Sequence, residues 1–390
     1  MFGISESRRG AASLRAQWQA TIDDHVSALA FSPDGALLAV ADVNGPITLL
    51  RAADGAVAHT LRGHGFGTLA LAWCPDGRGL LASAGQDGMI RLWDSASGAE
   101  LAAMPGGAAW VERLAWSVPQ RSAARTPRGC SAAPEAAASE PYTPLLASAA
   151  GRKLRVWDAQ GQLVREYPDH ANTISGLAWM PVWGRPAAGT SGASALPTGN
   201  FPILTSATYG NIAFWQPASD EALGRFSWKG SILTIAWSPD GSFIATGDQD
   251  ATVHFWVAKT GQDLQMWGYP SKVRELAWDA SSRYLATGGA HTVTVWDCAG
   301  KGPEGSRPLQ LAAHEDMVSA LDFQRRGGLL ASGGEDGLVA VWHVGKGRRP
   351  LAQLGGGSAV AQLAWSPDDR WLAVGRADGT VALYAAPAER

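Results

Sequence analysis

Ile232-Leu-Thr-Ile-Ala-Trp237, Ser238-Pro-Asp-Gly241, Phe243-Ile-Ala-Thr246, Val253-His-Phe-Trp256 and Asp263-Leu-Gln-Met-Trp267 follow one another along one stretch of chain. Apart from the second, each is a short run that reads as a strand, the first, third and fourth being rich in β-branched and aromatic side chains and the last alternating polar with apolar residues. The breaks between them carry turn chemistry. Pro239 presets φ, Gly241 and Gly261 accept φ > 0, and Asp248-Gln-Asp250 and Lys259-Thr-Gly261 supply the other bends. Four short antiparallel strands separated by such turns describe one blade of a propeller.

The unit recurs. The aromatic that closes its first strand falls at Phe31, Trp73, Trp116, Trp179, Trp237, Trp278, Phe323 and Trp365, with gaps of 42, 43, 63, 58, 41, 45 and 42 residues. A period near forty-two marks a repeat array in which each unit buries its faces against its neighbours. The expected fold is therefore an all-β propeller of eight four-stranded blades, with seven blades as the alternative. Fourth strands follow only seven of the units, and Leu14-Arg-Ala-Gln-Trp-Gln-Ala20 is available upstream. Pairing it with Thr380–Tyr384 would close the ring and remove two open edges. This places one propeller domain over residues 14–390 behind a disordered segment 1–13. Residues 118–143 and 182–200 lengthen two first-to-second-strand connections. They are rich in Ala, Ser, Pro and Gly, and read as mobile loops. Arg121, Arg125 and Arg128 in the first are read as solvated rather than as a basic contact site.

One position tests the geometry. The residue before the closing aromatic is Ala30, Ala72, Ala115, Ala178, Ala236, Ala277, Asp322 and Ala364. A ring of small side chains suits first strands crowded around an axis, with the aromatic filling the gap between blades. Asp322 breaks the ring, and a hydrogen-bonded structural carboxylate is the favoured reading of it. Of the 18 tryptophans, twelve occupy first- or third-strand repeat positions, so core packing explains them better than ligand stacking.

Bulk properties exclude several classes. A net charge of −3 gives no general attraction to nucleic acid or anionic membranes. Cys74, Cys130 and Cys298 are odd in number and far apart, which fits neither a disulfide framework nor a metal cluster and suits a reducing compartment. The first residues lack a secretory pattern, and no run is long and apolar enough to span a membrane. A cytoplasmic location is expected.

The units resemble WD repeats. Trp93-Asp94, Trp157-Asp158 and Trp296-Asp297 match the name-giving pair, and Gly63-His64 matches the preceding Gly-His. The resemblance covers roughly residues 14–385 and implies a rigid binding platform rather than a catalyst. It also decides between two readings of His64/Ser83/Asp87 and His314/Ser332/Asp336. These have the composition of Ser-His-Asp hydrolase triads. In WD repeats the matching positions, together with Trp93 and Trp342, form a structural hydrogen-bond chain, and that reading is preferred because the serine would lie mid-sheet without an elbow. In the same register Trp228 and Tyr269 are expected to pack, while His170 has Ser206 but only Gly210 where the aspartate should be. The histidines show no metal spacing, and there is no P-loop or nucleophile elbow. Gly65-Phe-Gly67-Thr-Leu-Ala70 imitates a dinucleotide fingerprint but leads into a strand. No metal or cofactor is expected.

Function must then lie on the surface. Positions six and four before the closing aromatic should point together at the channel mouth. Most are small, but Trp110, Glu112, Lys272, Arg274 and Met317 stand out and are the candidate partner-binding residues. The cations suggest an acidic or carboxylate-bearing protein or peptide partner. The expected function is a non-catalytic scaffold, acting as a monomer or as one subunit of a larger complex. The alternative is a quinone-cofactor dehydrogenase, a class that also includes eight-bladed propellers.

Overall fold

The computed structural model describes residues 11–107, 109–118, 143–181, 201–300 and 302–388, and every regular element among them is a β-strand. The eight first strands end at the eight predicted aromatics. Each contacts the first strand on either side, and Val360–Trp365 meets Val26–Phe31 to complete the ring. From each first strand the sheet runs outward through antiparallel neighbours, as in Thr68–Trp73, Leu80–Gly85, Met89–Asp94 and Glu100–Pro105. The second and third strands are almost wholly buried between adjacent sheets, and the first strands are half-buried along the axis, which accounts for the excess of apolar over charged residues.

The strands form seven hydrogen-bonded sheets, not eight separate ones. Two repeats share a six-stranded sheet, because Leu204–Trp215 and Gly224–Trp237 are each continuous where other repeats have two strands. Leu204–Trp215 folds back on itself. Trp215 Nε1 donates to Ser206 Oγ at 2.8 Å, whereas nine extended residues would span roughly 30 Å. The bend is at Tyr209-Gly210, where Gly210 takes φ +84°. Tyr209 also pairs with Ser231, which joins this bend to the start of the next first strand. Seven sheets therefore carry the eight repeats, and seven replaces eight as the count of continuous sheets.

Ala16–Thr21 pairs antiparallel with Thr380–Ala385, so the N-terminal strand closes the ring as the last sheet's outermost strand. The ordered chain starts earlier than expected. Ala12–Ser13 pairs parallel with Ala352–Leu354 of the preceding sheet, Leu14 is buried against Trp365 and Tyr384, and Trp18 Nε1 donates to Ala52 O at 2.8 Å. Residues 12–21 thus touch three successive sheets. Most of the segment 1–13, Cys130, the three loop arginines and nearly all of both insertions lie outside the described residues.

Eleven of the twelve repeat-position tryptophans are buried, and Trp278 is half-buried. The alanine ring has a second use. Trp73 Nε1 donates to Ala30 O at 3.0 Å, Trp116 to Ala72 O at 3.0 Å and Trp179 to Ala115 O at 2.9 Å. A small residue lets the next indole reach that carbonyl. Asp322 keeps this bond, to Trp365 Nε1 at 3.2 Å, and adds another: its carboxylate accepts the Trp365 backbone N–H at 2.7 Å. Burial pushes its pKa up to about 6, while the Trp365 N–H opposes the shift.

Candidate interaction face at the channel mouth

The expected hydrogen-bond chains are present as geometry. His64 Nδ1 lies 2.8 Å from Asp87 Oδ1, His64 Nε2 lies 2.8 Å from Ser83 Oγ, and Trp93 Nε1 donates to the same Oγ at 2.8 Å. His314 repeats the pattern with Asp336, Ser332 and Trp342 at 3.2, 2.8 and 2.9 Å. The order of contacts is that of a catalytic triad, but Ser83 and Ser332 are completely buried and the indole occupies a lone pair of each hydroxyl. No substrate carbonyl could approach along that path. Burial lowers the pKa of both histidines, and the aspartates oppose the shift. His170 shows what the missing aspartate changes. Its Nε2 bonds Ser206 Oγ at 2.9 Å, its Nδ1 has no carboxylate and no well-formed hydrogen bond among the described residues, and desolvation pushes its pKa down to about 4 against the opposing Arg152 backbone.

The two substituted registers differ from each other. Tyr269 does more than pack: its hydroxyl accepts from Trp296 Nε1 at 2.8 Å and lies 2.8 Å from Thr287 Oγ1, replacing the imidazole in the chain. Trp228 does pack, with its ring centroid 3.5 Å from that of His254. The polar chain is then broken. Among the described residues Trp228 Nε1, Thr246 Oγ1, Asp248 Oδ1 and both His254 nitrogens are buried without a well-formed hydrogen bond, and His254 Nδ1 lies 3.9 Å from Asp263 Oδ2. Composition did not single out His254, which lies inside an apolar strand run, and Asp248 reads in sequence only as a turn residue, whereas it ends the second strand.

Strand order decides which connections share a face. In an antiparallel sheet counted from the axis, fourth-to-first connections and second-to-third turns lie at one end, and first-to-second and third-to-fourth turns at the other. The described residues flanking both insertions, Trp116 and Leu145, and Trp179 and Leu204, anchor them at the second end. All five predicted partner residues belong to the first. Trp110 is 53% exposed, Lys272 and Arg274 are exposed, and Glu112 and Met317 are half-buried. Lys272 and Arg274 form no salt bridge among the described residues.

The residue four before the aromatic has a feature that the sequence did not reveal. The pairing register shifts across Ser27, Leu69, Glu112, Leu233, Ser319 and Ala361, which marks a β-bulge at the mouth end of six first strands. The bulge turns the two serines sideways as well as toward the mouth. Ser27 Oγ donates to Thr68 O at 2.6 Å, and Ser319 Oγ donates to Val360 O at 2.5 Å, each stitching its strand to the next. Two of these position pairs converge, joined by Ser319 of a third whose Met317 does not reach the cleft. His25, Ser27, Ser319, Ala359 and Ala361 line a cleft of about 570 Å³, together with Asp316, Glu335 and Gln362.

The same face carries aromatics that the reading of pairs missed. Phe66 is 83% exposed, Trp267 74% and Tyr209 58%. With Trp110 they are the exposed aromatics among the described residues, and all four stand in fourth-to-first or second-to-third connections. Phe66 adopts φ +66°, a conformation that costs a bulky residue energy, between Gly65 and Gly67. The signal was in the sequence as Gly-Phe-Gly, where it imitated a nucleotide loop.

Comparison with known proteins agrees with this architecture. Residues 55–94, 223–257, 261–297, 305–343 and 348–384 match the family profile described as WD domain, G-beta repeat, and residues 13–66 match the anaphase-promoting complex subunit 4 WD40 domain. The chain is 28% identical over 339 residues to guanine nucleotide-binding protein subunit beta-5b of Danio rerio, covering 84% of this chain and 75% of that protein. It is 39% identical over 62 residues to the small ribosomal subunit protein RACK1 of Medicago sativa, a match covering 16% of this chain and 19% of that one. The crystal structure of the computationally designed Ika8 protein superposes with a TM-score of 0.68 at 21% identity, covering 97% of this chain and 99% of that chain.

Proposed function

The chain is a member of the WD-repeat family, and from that premise we propose that it is a non-catalytic scaffold whose channel-mouth face captures a protein or peptide partner in the cytoplasm. The observation that carries this reading is the concentration of exposed aromatics on one face, because folding offers no reason to leave Phe66, Trp110, Tyr209 and Trp267 in water together. The rigid ring supports it. A preorganised surface loses little entropy on binding. The relatives named above as a subunit of a guanine nucleotide-binding protein and a small ribosomal subunit protein support action within an assembly. Trp110, Glu112, Lys272, Arg274 and Met317 form the part of the face that would take an acidic or carboxylate-bearing segment, through the two cations that have no salt bridge among the described residues. The dehydrogenase alternative rests on fold analogy alone.

The test is affinity capture from the native organism with the full chain and with a Trp110→Ala/Arg274→Ala double variant. Both side chains lie outside the buried core, so the variant should keep the parent's circular dichroism and melting temperature. Partner binding should weaken by roughly 2–4 kcal/mol if these are hot spots. Undiminished capture by the folded variant would overturn the assignment of this face.

A further inference from the structure

Charge divides the mouth face in two. In the repeats whose first strands are Val318–Phe323, Val360–Trp365 and Val26–Phe31, the face presents Asp23, Glu315, Asp316 and Glu335, none of them in a salt bridge among the described residues. Asp316 and Glu335 look into the 570 Å³ cleft. The repeats before them present Arg113, Lys229, Lys272 and Arg274, again without salt bridges among the described residues. Glu112, Glu275, Asp169 and Asp250 interrupt this half, but Asp169 is paired with Lys153 and burial pushes the Glu275 pKa up to about 7, while in the acidic half Arg376 is buried and held by the Gly337 and Ser358 carbonyls. The two sectors meet between Arg274 and Asp316, in the connections that lead into the neighbouring first strands Leu276–Trp278 and Val318–Phe323.

Aromatics flank both sectors. Trp267 stands five residues before Lys272 in the same connection. Phe66 borders the acidic cleft: a Cβ on Gly67 would lie 2.8 Å from Val43 O, and Val43 is part of the cleft wall. Unpaired like charges packed side by side are destabilising to the free protein, and they are retained here on the face where aromatics are also left in water.

On this basis we propose that the occupant of the mouth face is one extended peptide segment of mixed charge, with a basic end seated over the Asp316/Glu335 cleft and an acidic end over Lys272/Arg274. The proposal rests on the reading of this face as the interaction surface and adds the order of charges in the partner. Charge complementarity selects the segment and its direction, and the aromatics supply the buried area.

The experiment is selection of random twelve-residue displayed peptides on the full chain, followed by fluorescence anisotropy with synthetic copies of the enriched sequences. Enriched peptides should pair an Arg- or Lys-bearing end with an Asp- or Glu-bearing end. Asp316→Asn/Glu335→Gln should weaken them about tenfold, and the sequence-reversed peptide should bind about tenfold more weakly than its parent. Binding should also fall steeply as salt rises. Peptides that lack basic residues, or that ignore the Asp316/Glu335 variant yet are lost with Trp110→Ala, would overturn the charge order and leave the interaction face standing. If no peptides are enriched, or if binding is untouched by every variant of this face, both readings fall. A concentration-dependent rise in mass abolished by the same charge variants would identify a second copy of the chain as the occupant and overturn the peptide.

Discussion

Ser83 and Thr246 occupy the same position in different repeats, and their surroundings make their energetics opposite. Ser83 Oγ holds both His64 and Trp93, so Ser83→Ala leaves two buried polar atoms unpaired and should cost about 2–4 kcal/mol in urea unfolding. The Thr246 hydroxyl holds neither an imidazole nor an indole and favours only the charged form of Asp248, so Thr246→Val should cost under about 1 kcal/mol. Equal losses would refute the contrast. Two further groups make stability depend on pH in opposite directions. The His170 pKa falls from 6.5 to about 4, so the fold favours the neutral ring. That contribution is complete above the ordinary value and is lost as pH falls from 6.5 toward 4. Burial, with Asp250 adding repulsion, raises the Asp248 pKa from 3.8 to about 7, so the fold favours the protonated acid. Its contribution is complete below 3.8 and is lost as pH rises to about 7. Asp248→Asn should therefore stabilise the protein at pH 8 by about 2–4 kcal/mol and change little near pH 4, as unfolding titrations at the two pH values would read. A gain of the same size at both would exclude Asp248 as the source.

The N-terminal strand is the element whose role is most exposed to test. It completes the last sheet, adds the Ala12–Ser13 pair to the preceding one and bonds the first through Trp18. Removing residues 1–20 should leave the Thr380–Ala385 edge open and cause aggregation or a large fall in melting temperature. Removing residues 1–10 deletes none of the described contacts and should leave the melting temperature within a few degrees. A stable, soluble 1–20 truncation would show that the closure contributes little. This strand was legible because strand counting left one edge unmatched. The bulges in the first strands were not. Their cause is the pairing register, which puts Val26 opposite Asp42 but Ala28 opposite Ala41, and nothing in either run taken alone reports that offset.

The repeats form a ring in which each unit buries both faces against neighbours, so no unit has a complete core of its own. With the ends joined, unfolding should be one transition, and tryptophan fluorescence and circular dichroism should report the same urea midpoint. The 1–20 truncation, if kept soluble at low concentration, should instead give a broadened transition with probe-dependent midpoints, because units beside the opened seam lose a partner. Coincident midpoints in both proteins would mean that cooperativity does not depend on the closure.

Period, turn residues and the alanine ring were enough to define the repeat, its four strands, the closing strand and the serine–histidine–tryptophan chains, because each depends on contacts repeated at fixed spacing along the chain. Two features depend on residues from different repeats and were decided only in three dimensions. Tyr209 pairs with Ser231 and merges two units into one sheet, so the sheet count is a property of a single inter-repeat contact. Phe66, Trp110, Tyr209 and Trp267 come from four separate connections, and Asp316, Glu335 and His25 from three. Antiparallel strand order brings all of these connections to one end of the ring, where they become a surface that no single repeat contains.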